Sequence, residues 1–484
     1  MLVVKCSKND FIYDIHSLVK AFYPAEDVKV FMEGEKQLSS DNGLPEIFIS
    51  LNDHYIRINL FINDVIVKEE KVEIKVTINR PEYKNVLKQL IYKLLSGYCN
   101  KALPWGTLTG IRPTKIAYGM LEENKSEDSI FQYMKETYYT SEEKSKLAID
   151  IAKREMAILS NVNYDNGYSL YIGIPFCPTT CLYCSFTSFP ICIYKDKVTD
   201  YLSALEKEII FVKTHFRDRI ADSVYIGGGT PTTLEPAEME RLLSFLTNNI
   251  NFSRVKEFTV EAGRADSITR EKLRVLKKYG VTRISVNPQT MKEETLQLIG
   301  RKHTVSQVKE AFLLARELGF DNINMDLILG LPNETIDDVK HTLEEVKLLN
   351  PDSITVHSLA IKRASRLNQW IEQNGITCLR NTDETVNLAA QYADAMNMLP
   401  YYLYRQKNMS GNFENVGYAK EGKSGLYNIL IMEEKQTIIA LGAGTITKRV
   451  FPDGRMERCD NVKDVQLYID KIDEMIERKE KLFM

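Results

Sequence analysis

Long apolar runs are missing from this chain. No stretch approaches the ~20 consecutive apolar residues that a membrane helix needs. The N-terminal MLVVKCSKND has too short an apolar run and too much charge for a signal peptide. A cytoplasmic protein with no membrane span is expected. An excess of either charge is missing too: 63 Lys and Arg stand against 66 Asp and Glu, a formal charge of −3. A general nucleic-acid surface needs clustered positive charge, so no nucleic-acid partner is expected. Cysteine is sparse, eight in 484 residues, which argues against a disulfide scaffold, and a cytosol keeps such thiols reduced. Internal repeats and low-complexity tracts are absent. Apolar residues are plentiful at 44%, enough to bury a large core and to exclude wholesale disorder. At ~100–200 residues per domain, the length accommodates roughly two to four domains.

Residues 1–165 read as a separate α+β module whose role the sequence does not assign. Tyr55–Leu60 and Lys71–Ile78 alternate polar and apolar residues, and Glu46–Leu51 makes a third strand joined to the first through Asn52-Asp53. Val86, Leu87, Leu90, Ile91, Leu94 and Leu95 recur at helical spacing, Pro104–Pro113 breaks regularity, and a second helix covers about 141–159. Residues 166–360 change character. Short β-rich runs at 169–174, 223–226, 258–260, 283–286, 323–329 and 353–356 alternate with helices near 194–215, 236–248, 269–279, 304–317 and 335–349. That alternation predicts an α/β fold: six βα units around a parallel sheet, an open or partial barrel with its site at the C-terminal strand ends. Residues 361–484 form a C-terminal α+β extension, expected to cover the substrate.

Four of the eight cysteines fall within sixteen residues, and three of them, Cys177, Cys181 and Cys184, have the spacing C-x3-C-x2-C directly after the first barrel strand. Three thiolates on one short loop can converge on a metal or cluster. Zinc wants four closed ligands in pairs such as C-x2-C, and no second pair exists. Three cysteines instead leave one iron of a [4Fe–4S] cluster open to a substrate. The remaining cysteines read as packing residues, Cys192 as a buried one, and His303 and His357 as structural.

With Tyr183 before the third cysteine, this loop resembles the fingerprint of the radical S-adenosylmethionine (SAM) superfamily. The resemblance implies that SAM chelates the open iron and that one-electron reduction cleaves it to methionine and a 5′-deoxyadenosyl radical. Tyr183 is then the aromatic beside the adenine. At the second strand end, Gly227-Gly228-Gly229-Thr230-Pro231-Thr232 allows close backbone approach to a ligand. Glu261, Gln289, Arg301 and Asp326 each read alone as surface or turn residues, but at successive strand ends they ring one ligand. Arg301 suits the SAM carboxylate; Glu261 and Asp326 suit its amino or ribose groups.

The order IPFC, GGGTPT, strand-end Glu, Gln289, GR-x-H and DLI-x-GLP resembles the oxygen-independent coproporphyrinogen III oxidase (dehydrogenase) family over about residues 168–450. The N-terminal extension, Pro104–Pro113, Glu261–Arg264 and Tyr404–Asn408 are similar to its HemZ-like subfamily. By motif, the cluster ligands are Cys177, Cys181 and Cys184, and the SAM contacts are Tyr171, Tyr183, Gly228, Gly229, Thr230, Glu261, Gln289, Arg301, Asp326 and Ala360. Two departures stand out: the founding oxidases carry a His where this chain has Gly173 and a fourth cysteine where it has Phe186. Neither position is a cluster ligand. The resemblance implies oxidative decarboxylation of the tetrapyrrole coproporphyrinogen III to protoporphyrinogen IX in heme biosynthesis, with a flavodoxin or ferredoxin-type reductant and a monomeric enzyme. Lys362, Arg363, Arg366, Arg405 and Lys407 are the cations available to the propionates. Two alternatives stay open. One is a heme chaperone, whose HN-x-x-YW element survives here only as Asn428. The other is a radical SAM methyltransferase acting on a tetrapyrrole.

Overall fold

Apolar alternation and one left-handed turn shape the N-terminal part of the chain. The computed structural model describes every residue except 36–38, 42, 76, 111, 165, 363–364, 376–377 and 407–412. Met1–Lys153 with Tyr404–Glu414 form one unit, and Arg154–Leu403 with Asn415–Met484 form the other. In the first unit, β1 (Leu2–Cys6), α1 (Ile12–Phe22), β2 (Val28–Met32), β3 (Glu46–Leu51), β4 (Tyr55–Ile62) and β5 (Val65–Glu73) give a sheet of order β2-β1-β3-β4-β5. Ile47, Ile49, Leu51, Ile56, Ile58 and Leu60 alternate onto its buried face. There they join a core shared with α1 and α2 (Arg80–Cys99), whose first turn is closed by a capping box between Asn79 and Glu82. α3 (Thr114–Glu122), α4 (Glu127–Tyr138) and α5 (Glu142–Leu159) follow, and the division between the units falls within α5.

One strand departs from expectation. The alternating run expected at Lys71–Ile78 forms a strand earlier, at Val65–Glu73. Asn63 and Asp64 both take left-handed φ, 49° and 63°, and turn the chain straight out of β4, pairing Ile62 with Val65. Asn and Asp tolerate that conformation better than other L-residues do. Val76 lies outside the described residues. β1, whose apolar run is too short for a signal, is a central strand of this sheet.

The second unit carries the βα repeat. Its elements are β6 (Gly167–Ile174), β7 (Phe176–Cys177), β8 (Phe189–Pro190), α6 (Ile191–Tyr194), α7 (Val198–His215), β9 (Ile220–Gly228), α8 (Pro236–Asn249), β10 (Glu257–Gly263), α9 (Arg270–Lys278), β11 (Arg283–Val286), α10 (Glu293–Leu298), α11 (Val305–Glu317), β12 (Ile323–Leu329), α12 (Ile336–Leu349) and β13 (Ser353–Ser358). β6, β9, β10, β11, β12 and β13 are parallel neighbours in that order, the six units that the sequence predicts. Thr269, Thr304 and Thr335 accept hydrogen bonds from the first turns of α9, α11 and α12, which fixes where the preceding loops end.

The C-terminal segment extends this sheet at both edges. α13 (Leu367–Asn374) and α14 (Asp383–Asp394) lead to β14 (Leu399–Tyr404) and β15 (Asn415–Ala419), and β15 pairs antiparallel with β13. α15 (Leu426–Glu433) then crosses to β16 (Ile438–Leu441), which pairs parallel with β6. β17 (Ile446–Val450) and β18 (Met456–Asp460) complete an eleven-stranded sheet before α16 (Val465–Asp470) and α17 (Ile472–Phe483). Among the described residues, no helix is long and apolar enough to cross a membrane.

Candidate functional site

The cysteine loop leaves the C-terminal end of β6 and is clasped at once by the glycine loop after β9. Gly229 N–H donates to the Ile174 carbonyl at 2.8 Å, and Thr230 N–H donates to that of Phe176 at 2.7 Å. A Cβ on Gly229 would lie 2.6 Å from Phe176 O and 2.8 Å from Ile174 O, so this approach requires glycine. The close contact that the glycines permit is thus, first, to the protein's own backbone. Further along, Leu182 N–H donates to Ile299 O at 3.0 Å, the Thr179 hydroxyl to Gly300 O at 2.8 Å and Arg366 to Thr180 O at 2.5 Å. The loop is strapped down on several sides.

All three thiols are free and half-buried. Cys177 faces the Thr230 hydroxyl at 3.5 Å, Cys184 faces Ser188 at 3.6 Å, and Cys181 lies against Tyr183 and Arg301. Among the described residues, no three metal-binding side chains converge closely enough to clasp an ion. Burial pushes the Cys177 thiol up to about 11, with smaller contributions from the other two cysteines. Such a thiol is inert as a nucleophile and gives up its proton to a metal. Cys192, expected to be buried, is exposed in the short α6, because that helix presents no buried face.

The strand-end residues line the inside of the parallel sheet. Tyr171 and Tyr225 are register partners on β6 and β9, and their rings stack at 6.0 Å. Tyr427 of α15 stacks on Tyr225 at 4.5 Å and on Tyr171 at 5.8 Å. The Tyr225 hydroxyl donates to Glu261 at 2.6 Å. Burial pushes the Glu261 carboxyl up to about 7, and the charge of Asp326 adds to this against the hydrogen bonds from Tyr225 and Gly228. Burial also pushes Asp326 upward, but His357, Asn324 and Thr355 together outweigh it and hold that carboxyl below its ordinary range. Asn324 donates to Asp326 at 2.7 Å, and His357 stands 3.9 Å away.

Gln289 has a left-handed φ of 70°, a strained backbone for a non-glycine residue, fixed by backbone bonds to Asp326 and Ile328. Arg301 is buried, and its guanidinium donates to the Asn287 carbonyl and, at 3.4 Å, to the Tyr183 hydroxyl. Ala360 is half-buried two residues beyond β13.

The donor set suits an iron–sulfur cluster with an organic ligand. Three soft sulfur ligands share one loop, and Arg264, Arg301 and Lys362 each act electrostatically on one of the three thiols, as counter-charges to thiolates. Among the described residues, the buried Gln289 Oε1 and Arg301 Nε have no hydrogen-bond partner, which leaves polar capacity at the strand ends.

Both departures from the oxidase pattern have a physical setting. A Cβ at Gly173 would stand 2.6 Å from the Thr445 methyl, so a larger residue there would have to displace the turn after β16. Phe186 is 71% exposed, with the Lys362 ammonium 5.8 Å from its ring centre. Of the other cations, Arg366 is committed to Thr180, while Arg405 belongs to the first unit, where it is buried and donates to Leu108 O at 2.6 Å. Arg363 and Lys407 lie outside the described residues. The sequence reading missed Tyr225, Tyr427, Thr179 and the hydrogen bonds of Arg264. Only the Glu261–Arg264 motif and the threonines between the first two cysteines hinted at them.

The family model described as the Radical SAM superfamily matches residues 171–346. The chain is 39% identical over 413 residues to the oxygen-independent coproporphyrinogen-III oxidase-like protein HemZ of Bacillus subtilis (strain 168), covering 83% of this chain and 82% of that protein. It is 31% identical over 307 residues to the heme chaperone HemW of the same organism, covering 63% of this chain and 76% of the chaperone. Among solved structures, coproporphyrinogen III oxidase (HemN) from Escherichia coli shares the fold, with a TM-score of 0.52 at 23% identity, over 66% of this chain and 72% of that one.

Proposed function

We infer the function from one premise: this chain belongs to the oxygen-independent coproporphyrinogen-III oxidase-like family of radical SAM proteins, a family whose relatives include heme chaperones. Its cofactors are a [4Fe–4S] cluster and SAM. The reading we put forward is that it converts two propionates of coproporphyrinogen III to vinyls. Each propionate would lose one β-hydrogen, CO2 and one further electron, and a flavodoxin or ferredoxin-type protein would serve as reductant.

Cys177, Cys181 and Cys184 would hold the cluster, and Tyr171, Tyr183, Gly228, Gly229, Thr230, Glu261, Gln289, Arg301, Asp326 and Ala360 would surround SAM. When bound, this pair supplies a carbon-centred radical able to take a hydrogen atom from an unactivated carbon. The chain's own residues do the rest. The Tyr171–Tyr225–Tyr427 stack would give the bound groups an aromatic wall beside the strand ends. Lys362, over the exposed Phe186 ring, makes no ion pair among the described residues, and it offers a carboxylate a charge-assisted partner. Phe186 beside it presents an apolar face to the pyrroles of the macrocycle.

The observation that carries this reading is the continuous similarity to the oxidase-like relative, which takes in the cysteine loop and every strand-end residue of the ring. The similarity to the heme chaperone favours a second reading, heme carriage. One experiment separates them: anaerobic incubation of reduced, cluster-loaded protein with SAM and coproporphyrinogen III. Vinyl products with release of CO2 are expected. Stoichiometric heme binding, with neither vinyl product nor CO2, would replace decarboxylation with carriage.

A further inference from the structure

The third βα unit reaches back to the cysteine loop through one side chain. β10 ends in a bulge between Glu261 and Gly263, and Gly263 has φ 67°. This break in register lets the next residue, Arg264, fold inward, where its side chain is 3% exposed. Its guanidinium has two partners. Nε and Nη2 donate to the two carboxylate oxygens of Asp266, at 3.0 and 2.6 Å. Nη1 donates to Thr179 twice, to the carbonyl at 3.1 Å and to the hydroxyl at 2.6 Å.

Thr179 lies midway between Cys177 and Cys181. Its hydroxyl passes the contact on by donating to Gly300 O, next to Arg301. Ser267 donates to the Arg264 carbonyl at 2.8 Å, and His303 Nδ1 stands 3.6 Å from the Asp266 carboxylate, beyond hydrogen-bond reach. The fork is thus fixed at both ends before it touches the loop. A planar guanidinium that satisfies a carboxylate on one edge and a main-chain carbonyl plus a hydroxyl on the other sets distance and orientation together, which a lysine ammonium cannot do.

We propose that Arg264 is a positioning residue for the iron–sulfur cluster: through Thr179 it fixes the separation of Cys177 and Cys181, with Asp266 and Ser267 as its support. This rests on the reading that the three cysteines hold the cluster. It goes beyond that reading because Arg264 is neither a cluster ligand nor a group assigned to SAM, and its hydrogen bonds to Thr179 are separate from the charge it presents to Cys177.

The test compares wild type, Arg264→Gln, Arg264→Lys, Thr179→Val and the Arg264→Gln/Thr179→Val double variant, all reconstituted anaerobically. The readouts are iron per chain, the rate of iron loss to a ferrous chelator and the cluster midpoint potential. Arg264→Gln is expected to lose iron roughly 10–100-fold more readily, as removal of supporting partners commonly does. Its midpoint potential should fall, because Asp266 is left without its counter-charge. Thr179→Val should shift iron loss in the same direction by less, Arg264→Lys should fall between Arg264→Gln and wild type, and the double variant should be no worse than Arg264→Gln. Wild-type iron retention and potential in Arg264→Gln, or additive effects of the two substitutions, would overturn the proposal. Thr179→Val buries no charge and carries the test if Arg264→Gln does not fold. A wild type that takes up no cluster would overturn the cysteine reading together with this one, whereas a loaded wild type matched by Arg264→Gln overturns this one alone.

Discussion

Glu261 shows how much chemistry one buried carboxyl can hold at the residue scale. Its folded pKa is pushed to about 7 from an ordinary 4.5 by burial. The folded protein therefore keeps a proton that the unfolded chain gives up. Its contribution to stability is fully present below about pH 4.5 and is lost as pH rises through about 7. At about 1.4 kcal/mol per unit, the loss over that window is about 3 kcal/mol. Glu261→Gln has no such titration. Thermal melts of the two proteins from pH 4.5 to 8 are expected to diverge upward in favour of the variant as pH rises; parallel curves would return Glu261 to an ordinary carboxyl. The cysteines give a second expectation. Cys177→Ala, Cys181→Ala and Cys184→Ala should each abolish the cluster absorbance and SAM cleavage, while Cys192→Ala, at an exposed position, should leave both intact. The spacing of the three cysteines was legible from the sequence, because ligation by one loop is a local pattern. The exposure of Cys192 was not, because nothing in the local sequence shows that this one-turn helix buries no face.

At the scale of elements, the strands of the βα repeat were legible because a strand buried in a parallel sheet is a continuous apolar run bounded by turns. β5 was misplaced because its register is set by the Asn63-Asp64 turn rather than by its own alternation. β16 was not anticipated at all: its partner β6 lies more than 260 residues earlier, and no local signal marks that pairing. What holds β16 and its turn in place is α17. Lys479 donates to Glu208 at 2.6 Å, with both side chains fully buried. Glu208 also accepts from the Tyr468 hydroxyl at 2.6 Å and from Gly442 N–H at 2.7 Å. The turn that begins at Gly442 packs on Gly173 and on Thr187, at either end of the cysteine loop. Removing one partner of a buried pair strands the other charge, so Lys479→Ala should cost roughly 3–5 kcal/mol. Chemical denaturation should show this, and a loss below about 1 kcal/mol would mean that water reaches Glu208.

At the scale of the whole molecule, the sequence pattern divides the chain into three consecutive blocks, whereas the fold divides it into two units, both of them discontinuous in sequence. The segment Tyr404–Glu414, between β14 and β15, belongs with the N-terminal residues. Sequence order hides this because the ties are single side chains. Glu414, with 1% of its side chain exposed, pairs with Lys144 at 2.8 Å and accepts from the Trp105 indole N–H at 2.7 Å. Trp105 comes from the Pro104–Pro113 stretch and Arg405 from Tyr404–Asn408, two of the segments that resemble the HemZ-like subfamily, and the Arg405 hydrogen bond to Leu108 ties the two stretches together within the first unit. The N-terminal unit therefore cannot be removed as a bead from a string. A protein that starts at Arg154 would keep Glu414 and Arg405 but lose Trp105, Lys144 and Leu108, which pair with them in the full chain. That protein is expected to be poorly soluble and to melt well below the full chain. Replacing 404–414 in it by a short glycine–serine linker should restore solubility, because the linker removes the two charged groups that have lost these contacts. In the full chain, Glu414→Ala should destabilise by roughly 1–3 kcal/mol, since the buried Lys144 keeps only the largely exposed Glu143 as its carboxylate partner. A truncated protein as soluble and as stable without the linker as with it would show that these ties contribute nothing to the fold.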